Sequence, residues 1–360
     1  MIMKRQTRVH SRPIAADGRR LIQFLGANRK RLSPLLILTH DYPDPDAIAS
    51  AAALRFIGES IFGMKCAIAH GGVIGRTENR EMVARLKIPI RRLRPGELGR
   101  SANVALVDTQ PSFNNNPFPA ARRAAIVIDQ HRSDAAPNAD LKLINLDCGA
   151  TSVILAQALF ASRRVPPPKL ATALAYGILT DTLSFYRSHE APVLRTYLRL
   201  LPHCDLAVLA KIQNPERSSR FFSTLAHGIR LAVSCRDVIV SHLGDVENPD
   251  LVSQTADFFL TYKKARWCLI SGRYHGRICL SLRTTAAGAE AGEILRDICG
   301  DRASAGGHGG IGGGSFEIGN SASEAAWRAE ENSLFVRLLE RLRIAPRVPI
   351  RFPFRDDHGH

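Results

Sequence analysis

Long apolar runs are missing from this chain. No stretch approaches the roughly 18 consecutive apolar residues that a membrane span requires, and the basic opening MIMKRQTRVHSRP is not followed by the apolar core of a secretory leader. Paired cysteines are missing too. Cys66, Cys148, Cys204, Cys235, Cys268, Cys279 and Cys299 contain no C-x-x-C spacing. An odd, scattered set excludes a secreted disulfide framework and a zinc ribbon, and thiols in apolar runs read as reduced and buried. On these grounds the expected location is cytoplasmic, with no membrane contact. Acidic residues and lysine are scarce relative to arginine. The 49 Lys+Arg against 33 Asp+Glu give +16, and only nine of the cations are lysines. That balance fits a polyanionic partner such as nucleic acid, nucleotides or another phosphate; it equally fits an Arg-rich composition spread over a solvated surface.

What is present is enough apolar mass for real cores: 45% hydrophobic against 23% charged residues over 360 positions, the size of two ordinary domains. Strands are expected at 35–39, 65–69, 103–107 and 125–128, and helices at 46–58, 77–86, 151–162 and 170–180. Continuous apolar strands separated by helices predict an α/β fold, a parallel sheet with helices on both faces. A helical connector follows over 186–232. From Asp237 onward strands come closer together, with a hairpin at Tyr274-His-Gly-Arg277 and a glycine-rich segment at 306–314, which predicts a smaller mixed α+β domain. The domain expectation is thus 14–185, the connector 186–232, then 233–343 and a tail at 344–360. There is no internal repeat.

Chemistry-bearing residues gather at the ends of apolar runs. His40, Asp44 and Asp46 follow the first strand, Asp108 closes the third, Asp129-Gln130-His131 closes the fourth, and Asp181 ends Gly177-Ile-Leu-Thr-Asp181. In an open parallel sheet the ligand crevice lies outside the carboxyl ends of the strands, so these residues converge. Each aspartate also has a plainer explanation: Asp46 suits the N-cap of the following helix, and a strand-terminal Asp is a common turn residue. A cluster of Asp44, Asp46, Asp108 and Asp181 cannot stay ionised without a counter-cation. Oxygen and imidazole donors without thiolate favour Mn²⁺ or Mg²⁺, and two such ions would activate a water against a phosphate.

His40-Asp-Tyr-Pro-Asp44-Pro-Asp46-Ala, Val107-Asp108, Asp129-Gln130-His131 and Gly177-Ile-Leu-Thr-Asp181-Thr182 together resemble the motifs of the DHH family of phosphoesterases. Gly149-Ala-Thr-Ser152 resembles the helix start before the last motif. Ser281-Leu-Arg283 and Gly306-Gly-His308-Gly309 resemble the DHH-associated substrate-binding domain, and the likeness spans about residues 20 to 343. The resemblance implies metal ligation by His40, Asp44, Asp46, Asp108 and Asp181, with Asp108 bridging two ions. It implies that His131, beside Asp129, contacts phosphate or acts as acid, and that Arg283, Gly306, Gly307, His308 and Gly309 bind substrate across an interdomain cleft. Gln130 stands where the family has a ligating histidine. An amide oxygen is the weaker ligand, which weakens the second metal site or changes its preference.

The implied function is a metal-dependent hydrolase of phosphoester bonds in short single-stranded nucleic acid or nucleotides. The two-domain length resembles the subgroup of nano-RNases that also dephosphorylate 3′-phosphoadenosine 5′-phosphate, rather than RecJ-like exonucleases with added DNA-binding domains. The alternative is a nucleic-acid- or nucleotide-binding protein whose metal centre is impaired at Gln130; a third reading takes polyphosphate as substrate. Pairing of two chains as a homodimer stays open. The match of Gly307 to Gly312 with G-x-G-x-x-G lacks the strand–helix context of a dinucleotide site.

Overall fold

In the computed structural model of the protein, residues 13–133, 135–300, 304–345 and 348–354 are described, the side chains of positions 304 and 308 apart. The chain divides into two compact units, Met1–Pro215 and Glu216–His360.

The first unit is built on a six-stranded parallel sheet. Its strands are β1 (Leu35–Leu38), β2 (Cys66–His70), β3 (Ile90–Arg92), β4 (Asn103–Val107), β5 (Ala124–Asp129) and β6 (Ala139–Ile144). The spatial order is β3-β2-β1-β4-β5-β6. The chain leaves the centre at β1, runs to one edge and returns to β4 on the other side, so the topological switch lies between β1 and β4. β1 and β5 are buried throughout, because Leu, Ile and Val face helices on both sides. Fully buried Ile37, Ile126 and Ile128 each contribute roughly 1.5–3 kcal/mol.

The helices of this unit are α1 (Ile14–Leu32), α2 (Pro45–Phe56), α3 (Thr77–Leu86), α4 (Glu97–Arg100), α5 (Thr151–Ala161), α6 (Pro168–Asp181), α7 (Ala191–Leu200) and α8 (Leu206–Gln213). α2 and α5 are buried almost all round. Ala47, Ala49, Ala51 and Ala53 keep α2 slim, and α6 meets it through Gly177. A Cβ built on Gly177 would stand 3.1 Å from Asp46 Cα and 2.6 Å from Ser152 Oγ. Only glycine lets these helices approach closely enough to hold Asp46 where it is. No helix among the described residues is long and apolar enough to cross a membrane.

Several elements of this unit were not expected from sequence, among them β6, β3 and α1. β6 reads Ala-Asp-Leu-Lys-Leu-Ile and alternates buried with more exposed positions, the signature of an edge strand with one wetter face rather than a doubly covered one. β3 is three residues long and two of them are arginines. α1 hides its apolar face in a strongly charged segment that starts after Pro13. Asp181 closes α6, the helix expected at 170–180.

The second unit carries α9 (Ser219–Leu231), β7 (Val233–Cys235), β8 (Val238–Asp245), α10 (Asp250–Phe259), β9 (Trp267–Tyr274), β10 (Arg277–Thr284), α11 (Ala291–Cys299), β11 (Ser304–His308), β12 (Ile311–Glu317) and α12 (Glu324–Arg341). Its sheet runs β11-β12-β10-β9-β8-β7, with β8 and β9 parallel and the other neighbours antiparallel. Period-two alternation splits β9 between two cores. Trp267 and Leu269 face a cluster with Ile294, Leu295 and Phe335, while Cys268 and Ile270 face one with Leu251, Val252 and Phe259. The expected hairpin closes at His275 and Gly276, both in the left-handed region, as a two-residue turn requires. In the described part of the C-terminal segment, Arg351 exchanges backbone hydrogen bonds with Ser234, and Phe354 packs on Phe259 and Tyr262.

Candidate active site

The site gathers where β1, β4 and β5 end, beside the start of α5. The loop after β1 carries His40 and then Asp44, which caps α2. Its Oδ1 accepts the Ala47 N–H at 3.0 Å, with Pro45 in the first helical position. The sequence alternative that Asp46 caps this helix therefore gives way to Asp44. Asp46, fully buried, caps a different helix. Its Oδ2 accepts the Thr151 N–H at 2.7 Å and its Oδ1 the Ser152 N–H at 2.8 Å. The residue before α5 is Ala150, which has no capping side chain, so the carboxylate across the interface satisfies those donors.

Asp108 follows β4 directly, in a left-handed conformation with φ 58°, uncommon outside glycine but one that aspartate tolerates better than most residues. Its Oδ1 accepts a hydrogen bond from Thr151 Oγ1 at 2.8 Å. Its Oδ2 lies 3.8 Å from His40 Nε2, which is also 3.9 Å from Asp44 Oδ1. On the other side His131 Nδ1 stands 3.8 Å from Asp108 Oδ1 and 2.8 Å from Asp129 Oδ1. Asp129 is fully buried and saturated with donors: Oδ1 accepts the Gln130 N–H at 2.8 Å, and Oδ2 accepts Gln110 Nε2–H at 2.8 Å. The same Gln110 amide donates to His131 O at 2.8 Å. Phe113 meets the His131 ring edge-on at 6.5 Å. Gln130 donates through Nε2 to Asp181 Oδ2.

Among the described residues, two groups offer ligand atoms within 4.8 Å of one another: His40, Asp44 and Asp108, and Asp108, Asp129 and His131. Asp46 and Asp181 stand near enough to be felt electrostatically but in neither group. Burial, then the neighbouring carboxylates Asp44, Asp129 and Asp181, pushes Asp108 well above the usual carboxylate range. Burial and the charges of Asp108, Asp181 and Asp44 do the same to Asp46. Asp181 is pushed up to about 6, chiefly by burial and next by Asp44. His131 is raised to about 10, first by its hydrogen bond to Asp129. Carboxylates crowded so that several resist ionisation, with imidazoles among them and no thiolate, fit a divalent cation of the Mn²⁺ or Mg²⁺ type.

Two participants escaped the sequence reading. Thr151, noticed there only as part of a helix start, hydrogen-bonds Asp108. Gln110, two residues beyond Asp108, positions both Asp129 and His131. The one signal for Gln110 was its place just past a strand end.

In the second unit, Arg283 is buried, with Nε donating to Asp257 Oδ1 at 2.6 Å and Nη1 to the carbonyls of Leu282 and Gly312 at 3.3 and 3.1 Å. The glycine-rich segment is a hairpin of β11 and β12. Gly306 pairs with Gly313, Gly307 with Gly312, and Gly309 lies in the turn, its N–H donating to Glu290 Oε2 at 2.7 Å. Gly307 has φ 148°, and a Cβ there would stand 2.0 Å from Ile311 O. α11 lies against this hairpin at Gly292, where a Cβ would stand 2.5 Å from Gly307 N. The His308 side chain lies outside what is described.

The DHH family, N-terminal domain, matches residues 34–178. An uncharacterized protein of Methanocaldococcus jannaschii is 30% identical over 327 residues, spanning 89% of this chain and 67% of that protein. Among solved structures, an exopolyphosphatase-related protein from Bacteroides fragilis shares the fold with a TM-score of 0.69 at 14% identity, over 90% of this chain and 98% of that one. With its His40, Asp44, Asp108 and Asp129-Gln130-His131 segments meeting at the strand ends inside the matched region, the chain belongs to the DHH family of phosphoesterases.

Proposed function

We propose that this protein is a divalent-metal-dependent phosphoesterase acting on short oligonucleotides or on nucleotides such as 3′-phosphoadenosine 5′-phosphate. The observation that carries the reading is the convergence of His40, Asp44 and Asp108 on one side, and Asp129 and His131 on the other, at the carboxyl ends of β1, β4 and β5. His40, Asp44 and Asp108 are the residues we assign to hold metal, with Asp46 and Asp181 beside them. Metal bound there would supply Lewis acidity toward a phosphoryl oxygen and lower the pKa of a bound water. The chain's own contribution is orientation and protons. Asp129 fixes the His131 ring through Nδ1 and favours its cationic form, which leaves Nε2 to donate to a phosphoryl oxygen or leaving group. Arg283 and the backbone of Gly306, Gly307 and Gly309 are the proposed anion-binding elements of the second unit, with His308. A net charge of +16 would draw polyanions toward the protein.

One observation favours a second reading, in which the protein binds nucleotide or single-stranded nucleic acid without turning it over. The Gln130 amide faces Asp181 with a donor where a ligand would be needed.

The deciding experiment is hydrolysis with Mn²⁺ and with Mg²⁺ of a dinucleotide, a five-mer, a long single strand, 3′-phosphoadenosine 5′-phosphate and polyphosphate. Turnover of the small nucleotide substrates is expected, with Asp108→Ala lowering it by at least about 10³-fold, since several kcal/mol of metal-derived stabilisation is lost. Silence on every substrate with oligonucleotide binding intact establishes the binding protein instead, and preference for polyphosphate moves the substrate class.

A further inference from the structure

We infer, resting on the metal-dependent reading above, that this centre takes a single divalent cation, on His40, Asp44 and Asp108. The hydrogen bond from Gln130 to Asp181 and the capping of α5 by Asp46 stand in place of a second ion.

Asp46 spends both oxygens on N–H groups at the start of α5, at 2.7 and 2.8 Å, where the helix end carries roughly half a positive charge. Asp129 has three donors: the Gln130 N–H, the Gln110 amide and His131 Nδ1. Asp181 accepts from the Gln130 amide. Asp108 is divided. Its Oδ1 accepts the Thr151 hydroxyl at 2.8 Å, and only its Oδ2 faces His40. A carboxylate whose one oxygen is committed to a hydroxyl is poorly placed to span two ions.

His40, Asp44 and Asp108 Oδ2 remain. Their separations of 3.8 and 3.9 Å are too long for hydrogen bonds. They lie within the span of two bonds of about 2.1 Å to one cation. The other flank is different in kind. An amide nitrogen has no lone pair to give a metal, and Nε2 of Gln130 points at the carboxylate. Offering Oε1 instead would turn the amide over and break a hydrogen bond to a charged group. That loss weakens a second ion by roughly 10- to 100-fold. The group beside Asp108 Oδ1 is then the His131 ring, whose Nδ1 lies 3.8 Å away and is already engaged with Asp129 Oδ1 at 2.8 Å.

The test is Mn²⁺ titration of the full chain, freed of metal and followed by electron paramagnetic resonance. The wild type is expected to take up one equivalent with the six-line signal of an isolated ion. Gln130→His, which replaces the donor by an imidazole nitrogen, is expected to bind a second equivalent at least 10-fold more tightly than the wild type and to show a spin-coupled signal. Two equivalents of similar affinity in the wild type would overturn the inference, and that measurement needs no variant. A Gln130→His protein that still stops at one would overturn the part assigned to the Gln130–Asp181 hydrogen bond and leave the block to Asp46 and Asp108. No uptake by the wild type would remove the metal-dependent reading itself, and this inference with it, whereas a single equivalent without hydrolysis would sink only the enzymatic reading.

Discussion

Stripped of metal, this protein should lose stability as pH rises from 4.5 to 6.5, and Asp181→Asn should return much of the loss. Asp181 is pushed up to about 6 from an ordinary 3.8, by burial first and the charge of Asp44 second. A folded-state pKa above the unfolded one means the native protein binds the proton more tightly. The associated stability is complete below about pH 4 and is lost as pH climbs through about 6. At 1.36 kcal/mol per unit, a shift of about two units amounts to about 3 kcal/mol. Asn keeps an oxygen for the Gln130 amide and removes the charge. His70 and His242, lowered by burial, act with the opposite sign in the same window, so the wild type alone does not isolate the effect. The difference between wild type and variant cancels them. Urea unfolding in EDTA at pH 4.5, 5.5 and 6.5 measures it: the gap should move by about 2 kcal/mol in favour of the variant across that range, the rest of the effect lying below pH 4.5. Because metal ligands must shed protons, Mn²⁺ should stabilise the wild type more at pH 6.5 than at 4.5. A gap that does not change with pH, or one that moves in favour of the wild type, would refute the electrostatic account of this cluster.

Three further outcomes rest on packing and positioning. Gly177→Ala puts a methyl 2.6 Å from Ser152 Oγ and 3.1 Å from Asp46 Cα, and should cost about 1–3 kcal/mol in thermal unfolding; an unchanged melting temperature would show that α6 can shift freely against α2. Gln110→Ala releases Asp129 and His131 together, so turnover should fall about 10- to 100-fold while Mn²⁺ uptake holds, as a rate assay paired with metal analysis would show. Gly307→Ala meets Ile311 O at 2.0 Å and should destabilise the second unit by more than about 1 kcal/mol, read as earlier urea unfolding.

Much of the first unit was legible because its strands are covered on both faces. β1, β4 and β5 show as apolar runs of Leu, Ile, Val and Ala, and the residues directly after them had to point into one crevice. That is why His40, Asp44, Asp108, Asp129 and His131 could be placed together from sequence. β6 was not legible, since an alternating edge strand six residues long reads equally as a loop, and neither was β3, an apolar residue followed by two arginines. The glycine-rich hairpin defeated the reading for the opposite reason. Its composition signals a loop, and what places it in the sheet is the pairing of β12 with β10 and of β11 with β12, contacts no local pattern announces.

Asp46 shows where the limit lies within the site itself. Two aspartates sit two residues apart at the start of one helix, and local rules offer the cap to either. The structure gives it to Asp44 and sends Asp46 to α5, 105 residues away along the chain. The reason is a deficiency elsewhere: α5 begins after Ala150, with no side chain to satisfy its first N–H groups, and both of those groups are buried. A carboxylate from α2, brought close by the Gly177 contact, meets that need. The same logic governs Gln130. Its residue type was visible and its departure from the family pattern was visible, but its bond to Asp181, 51 residues on, depends on where α6 ends. A side chain read singly as a poor ligand becomes, beside that carboxylate, a donor that a second cation would have to displace.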